Sequence, residues 1–111
     1  MEIIEQRQGA ITVLKPMGPL CHEDAEQFKK RLNDVLRRSL GRFVVDASAI
    51  SYVDSRGLEA LVDVTENLSQ GGQSLKLCTV SDTLREVFDL TNLSALFERF
   101  EDVNSAVRSF L

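Results

Sequence analysis

Two short polar clusters hold the side chains that could do chemistry. Asp46 and Ser48 follow the apolar run Phe43-Val44-Val45, and Asp54-Ser55-Arg56-Gly57-Leu58 opens a helical pattern. A hydroxyl at a helix N-terminus is a good place for a phosphate, because free backbone N–H groups and the positive end of the macrodipole both favour added negative charge there. The arrangement points to a surface serine, Ser55, that carries a switch. Serine before a helix is also a common structural cap, and an exposed cap hydroxyl can be both. Glycine in a first helical turn costs about 1 kcal/mol relative to alanine. Gly57 therefore implies close approach of another backbone, either a neighbouring loop of this chain or a docked partner. Asp54 has four readings: a share in the cap, an orienter of the Ser55 hydroxyl, a group that helps hold a metal-bound nucleotide presented by a kinase, or a solvated turn residue. Arg56 is either a phosphate partner, a selector of partners or a plain exposed arginine. Asp46 and Ser48 suit loop backbone groups that need hydrogen bonds.

The apolar strand, then Asp46-x-Ser48, then Asp54-Ser55-x-Gly57-Leu58 opening a helix resembles the STAS domain, whose small stand-alone members include bacterial anti-sigma-factor antagonists. The match is specific in this block and extends loosely over almost the whole chain. The resemblance implies that Ser55 is phosphorylated by a partner kinase and that Asp46, Ser48, Asp54, Ser55, Arg56 and Gly57 face the partner. It implies an antagonist that docks, unphosphorylated, on an anti-sigma-factor serine kinase and releases the sigma factor, with a serine phosphatase for reversal. Arg56 departs from the small residue that many relatives carry. The alternative reading is a scaffold subunit of a transport complex, such as a phospholipid transporter, or of a sensory complex.

An enzyme has less support. A nucleophilic serine requires a base, and the only histidine is His22. No nucleophile elbow and no Gly-x-x-x-x-Gly-Lys phosphate loop occurs. Cys21 and Cys78 match no metal or redox spacing. The expectation is a binding protein with no catalytic residue, no metal and no cofactor.

With 111 residues the chain is the size of one domain, and residues 1–111 read as one unit without linker or repeat. The 43% hydrophobic and 27% charged content is an ordinary globular balance. A net charge of -4 argues against general nucleic-acid or anionic-membrane binding. Lys29-Lys30-Arg31 and Arg37-Arg38 fall within a helix pattern and read as a solvated face. No apolar stretch approaches the ~20 residues of a membrane helix, and the acidic start Met1-Glu2-Ile3-Ile4-Glu5 is unlike a secretory signal. A cytoplasmic protein without membrane insertion is expected.

The elements that must position these clusters are legible from periodicity. Residues 2–7 and 10–15 read as strands around a Gln8-Gly9 turn, broken by Pro16 and Gly18-Pro19. Residues 23–39 read as a helix with Ala25, Phe28, Leu32, Val35 and Leu36 on one face. Phe43-Val44-Val45 suits a central strand covered on both faces. A helix from about Ser55 to Leu68 turns Leu58, Leu61, Val62 and Leu68 inward and ends at Gly71-Gly72. Leu75 and Leu77 mark a strand, Ser81 caps a helix to about Leu90, and Phe97–Phe100 alternates like an edge strand. Asp102 caps a last helix. The order β-β-α-β-α-β-α-β-α predicts an α/β fold: a small, mixed, mostly parallel sheet with helices packed around it. It is also the order of the STAS fold.

Overall fold

A computed structural model describes all residues, Met1–Leu111. Five strands form one sheet in the order β1-β2-β3-β4-β5: β1 Glu2–Gln8, β2 Ile11–Met17, β3 Phe43–Asp46, β4 Leu75–Cys78 and β5 Phe97–Phe100. Only β1–β2 is antiparallel; the other three pairs are parallel. The helices are α1 His22–Ser39, α2 Ser55–Ser69, α3 Asp82–Leu90 and α4 Val103–Arg108, with a single 3-10 turn at Ser94–Leu96. Element order and the predominance of parallel pairing are as the periodicity predicts. No helix is long and apolar enough to cross a membrane.

Alternation along the strands divides the core between the two faces of the sheet. Leu14, Phe43, Val45, Leu75, Leu77 and Phe97 meet α1, α2 and α3 on one face. Ile11, Val13, Val44 and Cys78 meet Ala106 and Val107 of α4 on the other. The predicted face of α1 is buried at Ala25, Phe28, Leu32 and Val35, while Leu36 is half-buried at its margin.

Several local expectations are corrected. Pro16 lies inside β2, opposite Ile3, rather than ending the strand. It stands past Leu14, the last β2 residue paired with β3, so a missing ladder N–H is tolerated there. The alternation of Ile3, Ile11 and Val13 with polar or small residues predicts that the whole first hairpin is peripheral, but Ile11, Thr12, Val13 and Leu14 are all buried, so β2 is an interior strand and only β1 is peripheral. The turn residues are Gly9-Ala10, since Gln8 pairs with Ile11. On α2 the inward positions are Gly57, Ala60, Leu61, Val64, Thr65 and Leu68, and Val62 is only half-buried. Thr65 could not be read as core from its type. Its Oγ1 accepts from Leu75 N–H at 3.0 Å and donates to the Leu96 carbonyl at 3.3 Å, which satisfies the buried hydroxyl and ties α2 to β4.

Of the basic residues, Lys29 pairs with Glu26 and Asp63, and Arg31 and Arg38 both reach Glu5. Such exposed pairs add little stability, but they fasten α1 to α2 and to β1. Both cysteines are free thiols. Burial pushes the Cys78 thiol up to about 11, consistent with a small apolar core residue.

The capping predicted at the last two helices is present. Ser81 Oγ accepts from Leu84 N–H at 3.1 Å, and Asp102 Oδ1 from Ser105 N–H at 2.7 Å. The Ser105 backbone bond is the main cause holding the Asp102 carboxyl below its ordinary value. A depressed carboxyl stabilises the fold above the unfolded pKa and loses that contribution as pH falls through the folded value. Asp102→Asn keeps a competent cap that does not titrate. It is expected to lose less stability than the parent on acidification from neutral pH, as read from urea melts; an identical acid limb would contradict the assignment.

Candidate functional site

Parallel strands leave a crevice beyond their carboxyl ends, where loops gather. Here the turn after β2 and the connection from β3 to α2 are stitched together. Gly18 N–H donates to the Ala49 carbonyl (3.0 Å), Leu20 N–H to the Tyr52 carbonyl (2.8 Å) and Asp54 N–H to the Leu20 carbonyl (3.3 Å). Leu20 and Val53 form an isolated parallel bridge, and both side chains are buried with Ala47 and Ile50. A β-like clamp therefore holds the head of α2 against the start of α1.

The cap of α2 is Asp54 rather than Ser55. Asp54 Oδ1 accepts from Gly57 N–H at 2.9 Å, while Oδ2 accepts from His22 N–H at 3.1 Å and lies 3.7 Å from His22 Nδ1. These bonds, the Gly57 N–H foremost, hold the Asp54 carboxyl below its usual range. Asp54 thus joins the N-termini of both α1 and α2. Ser55 is the first helical residue of α2 and is exposed, as is Arg56 beside it.

Gly57 resolves in favour of the chain's own loop. A Cβ there would overlap the Leu20 carbonyl oxygen and stand 2.7 Å from Val53 Cγ1. Both belong to the clamp, so the small residue lets α2 approach the turn after β2. Gly57→Ala gains about 1 kcal/mol of helix propensity but forces a backbone shift of the overpacking kind, about 1–3 kcal/mol or more. A net loss of stability is expected in a denaturant melt. A variant as stable as the parent would show that the clamp yields freely.

Asp46 and Ser48 sit elsewhere. Asp46 Oδ1 accepts from Ser48 N–H at 3.0 Å, closing the turn that leaves β3. Asp46 lines a hollow with Val13, Lys15 and Val103, on the α4 side of the sheet, whereas Ser55 heads the helix on the other side. The structure thus brings Asp54, Ser55, Arg56 and Gly57 together and separates Asp46 from them, with exposed Ser48 on the intervening loop.

Tyr52 was not singled out by the sequence, yet it is 51% exposed in the loop just before Asp54. It stands with Ser51 between Ile50 and Val53, which turn inward, and a loop aromatic beside the Asp54-Ser55 pair was the only signal that could have found it. Between α1 and α2, a groove of about 410 Å³ is lined by Glu23, Glu26, Glu59, Asp63, Lys29 and Arg56, among others. Lys29 is paired with Glu26 and Asp63 across it, so the groove is acidic on balance.

The model of the STAS domain matches residues 2–106. This chain belongs to the STAS-domain family. Among its relatives, BtrV of Bordetella bronchiseptica, described as a candidate anti-sigma factor antagonist, is 28% identical over 93 residues, spanning 84% of this chain and 80% of that protein. The anti-sigma-B factor antagonist of Listeria monocytogenes is 32% identical over 81 residues, spanning 73% of this chain and 65% of its own length. The solved structure of the anti-sigma factor antagonist SpoIIAA in its unphosphorylated form superposes with a TM-score of 0.76 at 18% identity, covering 98% of this chain and 96% of that one. The phosphorylated form of Bacillus SpoIIAA superposes at 0.69, also at 18% identity, covering 97% and 99%. At that identity the likeness is one of fold. These relatives carry the names of regulators rather than of enzymes.

Proposed function

We propose that this STAS-domain protein is an anti-sigma-factor antagonist acting as one domain in the cytoplasm. Unphosphorylated at Ser55, it docks on an anti-sigma factor that is also a serine kinase and so frees the sigma factor. The kinase phosphorylates Ser55, and a serine phosphatase restores the binding form. The observation that carries this reading is the exposed Ser55 hydroxyl at the head of α2, on a backbone that the Asp54 cap and the Leu20–Val53 bridge hold rigidly. A hydroxyl presented on a fixed frame suits a kinase active site, which needs its acceptor positioned. Exposed Tyr52 precedes it on the loop and exposed Arg56 follows it on the helix, contacts of the kind interfaces use.

The names of the relatives support the antagonist role, and the two forms of SpoIIAA support a phosphorylated state on this scaffold. The acidic balance of the neighbouring groove and the net charge of -4 favour a partner with a complementary basic surface. Asp54 directs its oxygens to the Gly57 and His22 N–H groups rather than to the Ser55 hydroxyl, which suits a cap and not a base activating a nucleophile. The protein is thus the substrate and ligand of its partner.

The test is phosphotransfer. Incubated with ATP and the cognate kinase, the protein is expected to gain one phosphate, located by mass spectrometry at Ser55. Ser55→Ala is expected to abolish labelling. Undiminished labelling of that variant would place the acceptor elsewhere.

A further inference from the structure

Beside Ser55, two separate stretches of chain bring together three atoms of metal-ligand type. Cys21 and His22 lie at the start of α1, and Asp54 caps α2. The Cys21 sulfur, a His22 ring nitrogen and an Asp54 carboxylate oxygen all lie within 4.8 Å of one another. We infer that Cys21, His22 and Asp54 form a binding site for a divalent transition cation of the zinc class, with a fourth position left for water or another ligand.

The geometry fits. In a tetrahedral zinc site, bonds of about 2.0–2.2 Å place nitrogen and oxygen ligands about 3.3–3.5 Å apart. His22 Nδ1 and Asp54 Oδ2 stand 3.7 Å apart, so that pair closes on an ion with a movement of a few tenths of an ångström, while the Cys21 sulfur, within 4.8 Å of both, closes by roughly an ångström at most to reach a Zn–S bond of about 2.3 Å. The His22 side chain is 77% exposed and has room to make it. Asp54 is already oriented: Oδ1 is held by the Gly57 N–H, and Oδ2 keeps a lone pair after accepting from the His22 N–H. A ligand fixed by backbone hydrogen bonds has the outer-shell support that metal sites use.

The donor set favours zinc over the hard cations. A thiolate with an imidazole and one carboxylate matches softer transition ions, whereas magnesium and calcium take oxygen ligands. An exposed histidine beside an aspartate is by itself an ordinary surface pair. The half-buried Cys21 sulfur in the same triangle changes it into a metal-ligand set. On binding, the Cys21 S–H bond breaks and its proton passes to water. The sulfur keeps the electron pair and donates it to the ion, and nothing is oxidised or reduced. The ion would place positive charge next to Ser55 and tie the turn after β2 to the head of α2. The site does not depend on the phospho-switch reading. Spacing along the chain concealed it, because Cys21 and His22 are adjacent and Asp54 is distant.

Cobalt reports such a site directly. The reduced full-length protein, titrated with Co²⁺, is expected to develop thiolate-to-cobalt charge-transfer absorption and tetrahedral d–d bands that saturate at one equivalent. Zn²⁺ should displace them. Cys21→Ser should abolish the charge-transfer band. His22→Ala should weaken cobalt binding at least about tenfold, since even lost outer-shell partners cost that much. Circular dichroism of both variants should match the parent, because neither side chain lies in the core. Cys78→Ser should keep the band. A band that survives Cys21→Ser, an unchanged affinity in His22→Ala, or the absence of saturable cobalt or zinc binding by the folded parent would overturn the assignment.

Discussion

A phosphate on Ser55 is expected to weaken docking on the partner kinase at least about a hundredfold while leaving the fold intact. Phosphorylation adds about -1.5 to -2 charges at neutral pH. Burying an unpaired charge at an interface costs about 3–5 kcal/mol, and each 1.4 kcal/mol is about tenfold in affinity. Within the monomer the same charge does little. Ser55 is exposed, so the phosphate stays solvated. A negative group in the first turn of a helix stabilises by about 0.3–1 kcal/mol. The Asp54 carboxylate already engages the Gly57 N–H and offsets part of that field, which holds the gain to the low end. Calorimetric titration of the phosphorylated and unmodified proteins against the kinase separates the two effects. Equal affinities would remove the switch and leave a scaffold. Unfolding on phosphorylation would show that Ser55 is not on the free surface. Ser55→Asp should weaken docking in the same direction, by less, since one carboxylate carries less charge than a phosphate.

Phe28→Ala is expected to destabilise the protein by about 3–5 kcal/mol in a urea melt, the range for large core truncations. Phe28 is fully buried, on the inward face of α1 with Ala25, Leu32 and Val35. The cluster it belongs to reaches Leu14 of β2, Val45 of β3 and Leu61 of α2. Truncation opens a cavity between sheet and helix layer that short, tightly paired strands cannot close. The effect also bears on the site, because α1 and α2 pack together and their N-termini share the Asp54 carboxylate. A loss under about 1 kcal/mol would mean that the layer collapses freely around the gap.

Much of this architecture was legible because its causes are local. The inward face of α1 follows from a 3.6-residue period, and β3 from a continuous apolar run. Ser81 and Asp102 cap their helices with bonds to residues three positions on, so their roles can be read within one turn of chain. Ser55 at the head of a helix is local in the same sense, and so is the motif that carries the family resemblance.

Where several residues compete for one role, or where burial depends on neighbours in space, local reading falls short. Asp54 and Ser55 both suit an N-cap, and the carboxylate holds it because its second oxygen also meets the His22 N–H. Thr65 reads as polar surface until Leu75 N–H and the Leu96 carbonyl are brought to its hydroxyl. Thr12 interrupts the apolar run of β2, so the segment reads as a half-exposed strand rather than an interior one. It is buried on both faces because β3 pairs on its free side and helices cover both layers.

The sequence alone therefore determined the element order, the helix faces and the serine at the head of α2, since each rests on bonds and periodicities spanning a few residues. Only the tertiary structure decided why Gly57 must be small, which residue caps α2, and that Cys21, His22 and Asp54 meet. The physical reason is that parallel pairing of β2 with β3 sets the turn after β2 beside the loop before α2. That register brings together groups about thirty residues apart, and no period within either segment encodes it.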